Sequence, residues 1–321
     1  MRGIKKILVI KNDKIGDMVL STNIFRELRK NFPKSNITVI ASKSNKPLIE
    51  ENKNINKIMI LDYPPNNYGS FLNYIKTSRV LKKENFDVGI DLRGSIFNIA
   101  MLHLANVKYK IGFYNRFFSK FFLDYAYKKD RLNKHVTFQR IDLINKALNL
   151  KSRDYWPEIS TDKKDREFID SFIKMNKLKR FICIVPDASL ESKQLPLDRF
   201  NDVIRYINKN YKNYKIILLG LDKRKIAWLK RRNNFIISPS RLLNLRAIYL
   251  LFKKSELVIA HDGGPMHLAW AARTRLVALI PAHLSLNYTR PLGKNVRVIS
   301  DIVQNIKTER VIKEIDNLIK N

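Results

Sequence analysis

The sequence predicts an α/β fold made of two Rossmann-like halves, each with a parallel sheet flanked by helices. Short apolar runs typical of buried strands alternate with stretches whose apolar residues recur at helical spacing. This alternation begins at Lys6, pauses in a polar segment and begins again at Phe181. Strands separated by helices imply right-handed βαβ units and therefore parallel sheets.

The first half contains four apolar runs that predict strands. They are Lys6–Ile10, Asn36–Ala41, Val88–Leu92 and Tyr109–Gly112. Between the first two runs, residues 16–32 have the apolar spacing of one helix, which Pro33 closes.

The second half repeats the pattern with six predicted strands. They are Phe181–Val185, Lys215–Leu219, Phe235–Ile237, Leu257–Ala260, Leu276–Ile280 and Val296–Ile299. Predicted helices lie at Leu197–Asn210, Leu245–Lys253 and Met266–Arg273, and an amphipathic helix at Thr308–Lys320 ends the sequence. The polar stretch Asn149–Lys177, which contains Pro157, is the predicted linker between the halves.

Composition excludes several classes of protein. The 321 residues are 45% hydrophobic and 28% charged, which is ordinary for a globular chain. A disulfide scaffold is excluded because the only cysteine is Cys183, inside a predicted buried strand. No apolar run reaches the length of a secretory signal or of a spanning helix, so we expect a cytoplasmic protein.

The charge is strongly basic. Lys and Arg number 62 against 29 Asp and Glu, a formal net charge of +33. Such a surface attracts nucleic acid, anionic lipid headgroups and phosphorylated glycans. The basic residues are spread along the chain, which compositional drift would also produce, so both explanations stay open. Because no RNA-binding or helix-turn-helix signature is present, a nucleic-acid-binding protein is a remote alternative.

One candidate site follows the first strand. Ligands of parallel sheets bind outside the carboxyl ends of the strands, and the segment Lys11-Asn-Asp-Lys-Ile-Gly-Asp17 lies at that end. Asp17 falls near a helix start, where the helix dipole favours a carboxylate, and Asp13 is a second acid close by. The alternative is a helix start without chemistry. Neither a dinucleotide fingerprint nor a phosphate-binding P-loop is present.

A second candidate site follows the strand Leu257–Ala260. In His261-Asp-Gly-Gly-Pro-Met-His267 two glycines expose backbone amides at a helix start, which is a phosphate-binding arrangement. A tight strand–helix turn without a ligand is the alternative. The loop after Phe181–Val185 adds Ser189 and Lys193, both within reach of a phosphate in the same cleft.

No metal site is predicted. The five histidines lack metal-ligand spacing, and no Asp-x-Asp pair occurs. Phosphate charge must therefore be met by Lys, Arg, His and backbone amides.

In order along the chain, these motifs resemble glycosyltransferase family 9, the ADP-heptose:lipopolysaccharide heptosyltransferases. The matching segments are Gly16-Asp-Met-Val-Leu20, Ile90-Asp-Leu-Arg-Gly94, Ser189-Leu-Glu-Ser-Lys193, Leu218-Leu-Gly220 and Asp262-Gly-Gly-Pro-Met-His267. They cover nearly the whole chain. Two departures stand out, because Gly263 replaces the usual threonine and Leu195 replaces a common tryptophan.

The resemblance implies a GT-B fold, with two Rossmann-like domains facing each other across a central cleft. It implies an acceptor domain at 1–160, a nucleotide-sugar domain at 161–305, and a C-terminal helix at 306–321 that packs back on the first domain. The implied reaction is an inverting, metal-independent transfer of heptose from ADP-heptose to the lipopolysaccharide inner core. A family member that uses another nucleotide sugar on a different surface glycan is the alternative, and an inactive relative that kept the fold is a further one.

The resemblance also assigns roles to residues. Asp17 takes the position of the general base. The resemblance assigns binding of the donor phosphates to Ser189, Lys193, Asp262, Gly263, Gly264 and His267. Asp222 and Leu243 are candidates for the nucleoside, and Asp13 and Arg93 for the acceptor.

The stretch Lys108–Lys134 combines basic and aromatic residues, among them Arg116, Phe117, Phe118, Lys120, Phe121 and Phe122. Two interpretations stay open. The phenylalanines either complete the core or hold the protein, as a peripheral protein, against an anionic inner membrane that presents the lipid A acceptor.

Overall fold

The computed structural model describes residues 3–65, 68–115, 117–188, 190–282 and 286–320. Two predicted residues, Ser189 and Arg116, lie outside the described residues, as do the side chains of Phe117 and Phe118. The chain divides between Ser160 and Thr161 into two compact units, called unit 1 and unit 2 below.

Unit 1 is built on a parallel sheet with the order β3-β2-β1-β4-β5-β6. Its elements are β1 (Lys6–Lys11), α1 (Ile15–Val19), α2 (Thr22–Asn31), β2 (Asn36–Ala41), β3 (Lys57–Ile60), α3 (Tyr68–Lys82), β4 (Val88–Asp91), α4 (Ile96–Leu104), β5 (Tyr109–Tyr114), β6 (Tyr125–Lys128) and α5 (Val136–Leu148). All four predicted strands are present. The two that were not predicted, β3 and β6, are the edge strands of the sheet, each only four residues long and without a fully buried residue.

The helix predicted over residues 16–32 is in fact two helices. The Ser21 hydroxyl donates to the carbonyl oxygen of Asp17, and the Thr22 hydroxyl donates to that of Val19. Hydroxyls that bond nearby carbonyls compete with the helical pattern. The break leaves Asp17 on a helix of only five residues.

Unit 2 is built on a second parallel sheet, with the order β11-β10-β9-β7-β8. Its elements are α6 (Lys163–Met175), β7 (Phe181–Val185), α7 (Leu197–Asn210), β8 (Lys215–Leu218), α8 (Lys223–Arg232), α9 (Leu245–Lys254), β9 (Leu257–His261), α10 (Gly264–Ala271), β10 (Arg275–Pro281), α11 (Leu286–Thr289), β11 (Val296–Asp301) and α12 (Thr308–Ile319). The predicted strand Phe235–Ile237 is reduced to one bridge, between Ile217 and Ile237.

The linker predicted at Asn149–Lys177 is too long, because this range contains the helix α6. The Asp162 carboxylate caps this helix by accepting from the amide of Asp165. Ile169 and Phe172 are buried, and Arg246 on α9 bonds the Asp165 carboxylate at 2.5 Å. The segment reads as polar because only a narrow stripe of α6 faces the core.

The last helix, α12, buries Val311, Ile315 and Leu318 in the core of unit 2. It packs on α7, β10 and β11. The expected packing of this helix on the N-terminal domain concerns contact between the units and stays a prediction.

The basic-aromatic stretch is partly core and partly surface. It supplies β5, β6 and a 3-10 turn at Phe117–Phe122 between them. Phe113 is fully buried, whereas Phe121 and Phe122 are exposed. No helix among the described residues is long and apolar enough to cross a membrane.

Candidate active site

In unit 1, Asp17 and Asp13 have different environments. The Asp17 side chain is 37% exposed, with Lys11 Nζ at 3.6 Å and Arg140 Nη2 at 3.5 Å from one oxygen. The Asp13 side chain is only 4% exposed and forms close ion pairs, at 2.7 Å with Lys11 and 3.0 Å with Arg93. Asp17 can therefore meet a ligand directly, whereas Asp13 is committed to two cations.

Arg93 is positioned by the loop that follows β4. Its guanidinium stacks 3.8 Å above the Tyr63 ring and bonds Asp13. The buried Asp91 carboxylate accepts from the amides of Arg93, Gly94 and Ser95, which fixes this loop. Burial raises the pKa of Asp91, and hydrogen bonds from the Asn98 side chain and from the amides of Arg93 and Ser95 oppose this effect.

Gly94 explains why the Ile90-Asp-Leu-Arg-Gly94 motif ends in glycine. Its φ of +78° is in the left-handed region, and a Cβ there would lie 3.0 Å from the carbonyl oxygen of Phe113. A side chain at this position would push the loop that carries Arg93 away from β5.

The sequence analysis did not identify two further cations of unit 1, Arg140, which lies 3.5 Å from Asp17, and Lys129. Arg140 projects from α5 and is buried. Lys129 directly follows β6 and donates to the carbonyl oxygen of Arg93. The only sequence signal for Lys129 was its place after a strand, and that strand was itself missed.

In unit 2, the loop after β9 runs into α10 as predicted. Gly263 has extended backbone, and a Cβ on it would meet nothing closer than Pro265 Cδ at 3.9 Å. A β-carbon would therefore fit at Gly263, so the backbone here does not require glycine at this departure from the family. His267 is buried in the first turn of α10.

Lys193 and Asp262 are brought together although 69 residues separate them. Their side chains form an ion pair at 2.9 Å, and each is 16% exposed. A lysine next to the amides at a helix start is suited to hold a phosphate.

His261 has a structural part in this arrangement. Its Nε2 accepts the amide of Leu195 at 2.8 Å, and Nδ1 lies 3.4 Å from the carbonyl oxygen of Asp187. Burial lowers the pKa of His261 to about 4, so the ring is neutral at pH 7. The ring thus fixes the loop after β7. The Leu195 side chain, at the other departure from the family, is buried in the core.

Asp187, which the sequence analysis did not identify, ties the loops after β7 and β8 together. Its Oδ2 accepts from the amides of Leu221 and Asp222 at 2.6 and 3.0 Å. Gly220 is needed beneath it, because a Cβ there would lie 2.5 Å from Oδ2. This close approach accounts for the glycine of the Leu218-Leu-Gly220 motif.

The two residues expected at the nucleoside have different positions. The Asp222 carboxylate caps α8 by accepting the amide of Arg224 at 2.9 Å. Leu243 is half-buried in the loop before α9. Within the described part of the chain, no cluster of three or more His, Cys, Asp or Glu side chains is placed to bind a metal ion.

Two solved structures of glycosyltransferases have this fold. A family 9 glycosyl transferase from Veillonella parvula has a TM-score of 0.83 at 18% identity, covering 98% of this chain and 97% of that one. The ADP-heptose LPS heptosyltransferase II of Escherichia coli has a TM-score of 0.78 at 20% identity, covering 98% of each. These likenesses confirm the GT-B fold of two α/β units.

The sequence comparison identifies the family. The model of glycosyltransferase family 9 (heptosyltransferase) matches residues 74–318. The lipopolysaccharide core heptosyltransferase OpsX of Haemophilus influenzae is 22% identical over 95% of this chain and 87% of its own length. The chain belongs to glycosyltransferase family 9 and is therefore a glycosyltransferase.

Proposed function

We propose that this enzyme transfers heptose from ADP-heptose to the lipopolysaccharide inner core, with Asp17 as the general base. The exposed carboxylate of Asp17 is the observation that carries the assignment, because its rival Asp13 is buried between two cations. Similar proteins named for ADP-heptose and for the lipopolysaccharide core support the donor and the acceptor. Another nucleotide sugar acting on a different glycan is the alternative.

The reaction is a single displacement at the anomeric carbon. The acceptor hydroxyl oxygen forms a bond to that carbon while the bond from carbon to the diphosphate oxygen breaks. ADP leaves with the bonding electrons, Asp17 takes the hydroxyl proton, and the anomeric configuration inverts. Proton transfer to a positioned base contributes roughly 10²–10⁴-fold to such a step.

We assign the leaving diphosphate to unit 2 and propose that no metal is needed. Lys193, the amide of Gly264 and the side chain of His267 would stabilise the charge that develops as ADP leaves. The Lys193–Asp262 ion pair holds the ammonium at the start of α10, so the donor would find it already positioned. Ser189 is proposed to add a hydroxyl, and Asp222 and Leu243 to border the nucleoside.

Ligand binding and turnover measured on matched variants test these roles. Thermal shifts with ADP, UDP and GDP in EDTA identify the donor nucleotide, and transfer assays measure turnover. Asp17→Asn should keep the ADP shift and lose about 10²-fold or more in turnover. Lys193→Ala should lose the ADP shift, whereas Lys163→Ala, at a side chain that is 83% exposed, should not. A shift with UDP or GDP alone would overturn the ADP assignment, and full turnover by Asp17→Asn would overturn the base.

The exposed residues Leu104, Phe121 and Phe122 form an apolar patch on unit 1, and we propose that this patch meets an anionic membrane. The Lys120 ammonium lies 5.1 Å from the Phe121 ring centre, and the His103 ring packs edge-on against Phe122. Each basic residue near such a surface contributes about 1 kcal/mol. Co-sedimentation with vesicles containing phosphatidylglycerol should fall in Phe121→Ser. Equal binding by that variant, or binding to a short RNA instead, would overturn the membrane assignment.

A further inference from the structure

The helix α8 of unit 2 is much more basic than the rest of the chain. Six of its ten residues are Lys or Arg and none is acidic. In the whole chain Lys and Arg number 62 of 321, which compositional drift would spread as about two in every ten residues. The local excess on α8 therefore calls for an explanation of its own. The six cations are Lys223, Arg224, Lys225, Lys230, Arg231 and Arg232.

Four of these cations share one exposed side of α8, called the cationic face below. At about 100° per residue, Lys223, Arg224, Lys230 and Arg231 fall within an arc of about 120°. The second pair follows the first by two turns, about 10.5 Å along the helix axis. All four side chains are exposed, Arg224 to 97%, whereas Leu229 on the opposite side is buried in the core of unit 2.

The cationic face has little negative charge beside it. Among the residues that the structure describes, the one ion pair of α8 joins Arg224 to Asp222, and it is long at 4.0 Å. Lys223, Arg224 and Lys225 also occupy the first turn, where the positive end of the helix dipole makes a cation unfavourable. Stability alone would favour acidic residues at this end of the helix, so the cations are retained against a cost.

An exposed apolar side chain adjoins the cationic face. Leu221, two residues before Lys223, is 80% exposed. Its backbone amide donates to Asp187 Oδ2 at 2.6 Å, so the leucine is carried by a fixed loop. Cations combined with an exposed apolar side chain suit the headgroup region of an anionic membrane, where both kinds of side chain find a partner.

Nucleic acid is the other polyanion that a basic face attracts. Single strands are held by aromatic rings on which their bases stack. The one aromatic residue of α8 is Trp228, and the guanidinium of Arg232 lies over its ring at 3.7 Å. Leu221 would gain nothing from a phosphate backbone in water. The observations therefore favour a membrane over a nucleic acid.

We propose that the cationic face of α8, together with Leu221, docks unit 2 on an anionic phospholipid membrane. The four cations lie among the lipid phosphates, and Leu221 enters the boundary between headgroups and acyl chains. This surface is separate from the apolar patch of unit 1 and does not depend on the identity of the sugar donor or acceptor. Part of the net charge of +33 thus serves one particular surface.

Co-sedimentation of the full chain with phosphatidylcholine vesicles, with and without phosphatidylglycerol, tests the proposal. Each basic residue near an anionic surface strengthens binding about fivefold, so Lys223→Gln with Arg224→Gln should bind phosphatidylglycerol vesicles about thirtyfold more weakly. Lys163→Gln with Lys164→Gln is the matched control, because it removes the same charge from exposed side chains in the first turn of α6. This control should bind nearly as the unchanged protein does. Leu221→Ser should weaken binding as well.

The outcomes separate a docking surface from diffuse charge. Equal weakening in the α6 and α8 double variants, or equal binding to vesicles without phosphatidylglycerol, would overturn the proposal. If the α8 variant loses binding to a short RNA but not to vesicles, the occupant is a nucleic acid and the membrane is wrong. All the substituted side chains are exposed, so each variant should keep its melting temperature.

The proposed function and the docking surface can fail independently. The α8 double variant should keep the ADP thermal shift, so a failure of the ADP assignment leaves the vesicle result unchanged. If Phe121→Ser abolishes vesicle binding while the α8 double variant binds fully, the apolar patch of unit 1 stands and the cationic face is refuted. The reverse result supports the cationic face and removes the patch.

Discussion

The partly buried ammonium of Lys129 should make the protein less stable than a variant without this charge. Replacing it by methionine keeps the length of the side chain and its packing on Phe113 but removes the charge. We therefore predict that Lys129→Met is more stable than the unchanged protein at pH 6, although a hydrogen bond to the Arg93 carbonyl oxygen is lost.

The expected gain in stability of Lys129→Met can be calculated from the lowered pKa of Lys129. A fall from 10.5 to about 7 in the folded state corresponds to roughly 5 kcal/mol, at about 1.36 kcal/mol per pKa unit. Loss of the hydrogen bond to the Arg93 carbonyl oxygen reduces this gain in stability by about 1–2 kcal/mol. The expected gain in the free energy of unfolding at pH 6 is therefore about 3 kcal/mol.

The gain should depend on pH in one direction. Because the folded pKa of Lys129 lies below the unfolded one, the unfolded chain binds the extra proton between about pH 7 and 10.5. The cost of the charge is complete below pH 7 and declines as the pH rises, by up to about 1.4 kcal/mol per pH unit. The advantage of Lys129→Met should thus shrink to below about 1 kcal/mol by pH 9.

Urea unfolding at pH 6, 7, 8 and 9 measures this difference, with pulsed hydrogen exchange of the β1 segment reporting on unit 1. Lys128→Met is the matched control and should show no such pH trend. A Lys129→Met variant that is less stable at pH 6, or whose gain is the same at pH 6 and pH 9, would refute the reasoning about a costly buried charge.

Three other substitutions probe the two units. Gly220→Ala should destabilise unit 2 by about 1–3 kcal/mol and weaken the ADP thermal shift, because the new Cβ would lie 2.5 Å from Asp187 Oδ2. The control Gly263→Ala places its Cβ in open space and should keep the melting temperature of the unchanged protein. Arg246→Ala should lower the free energy of unfolding by about 3–5 kcal/mol, because it leaves the buried Asp165 carboxylate without its partner at 2.5 Å. The control is Arg224→Ala, at a side chain that is 97% exposed, and an equal fall in melting temperature in the two variants would contradict this prediction. Asp13→Asn should lower the melting temperature more than Asp17→Asn, since only Asp13 is itself buried between two close cations; equal melting temperatures would refute this contrast.

Most of the strands that the sequence predicted are largely buried, although the half-exposed edge strand β11 was predicted as well. The predicted range Asn36–Ala41 is β2 to the residue, because five consecutive side chains are buried and four of them are apolar. The edge strands β3 and β6 were missed; each has four residues, none fully buried, and the apolar run Ile58-Met-Ile60 of β3 is short. The helix α6 was mistaken for linker because only a stripe of it is buried. Apolar patterning thus reports burial rather than secondary structure as such.

The candidate site was predictable only where a motif lies next to one strand. Asp17 and the Asp262–His267 turn could be located in this way. The contact between Asp17 and Arg140 could not be predicted, because 123 residues separate them and no sequence motif contains both. The same holds for Asp187 and Gly220, whose contact depends on two strands being neighbours in the sheet.

Many of the imperfectly matched polar groups lie around the carboxyl ends of the strands, although those of Asn23, Asn52 and Asn233 lie elsewhere. In unit 1 they include Asp13 Oδ1, Ser95 Oγ, Asn98 Oδ1 and two nitrogens of Arg140, and in unit 2 Asp187 Oδ1, none of which has a hydrogen-bond partner among the described residues. Such groups cost free energy in the folded state. The apolar sheets behind them, such as β1 and β9 with every core position buried, provide the stability that tolerates this cost. Parallel sheets bind their ligands at the carboxyl ends of the strands. We therefore expect bound ligands to offset the free-energy cost of the unmatched polar groups there. On that argument the stabilising variants of this protein should cluster at its site residues and should lose ligand binding as they gain stability.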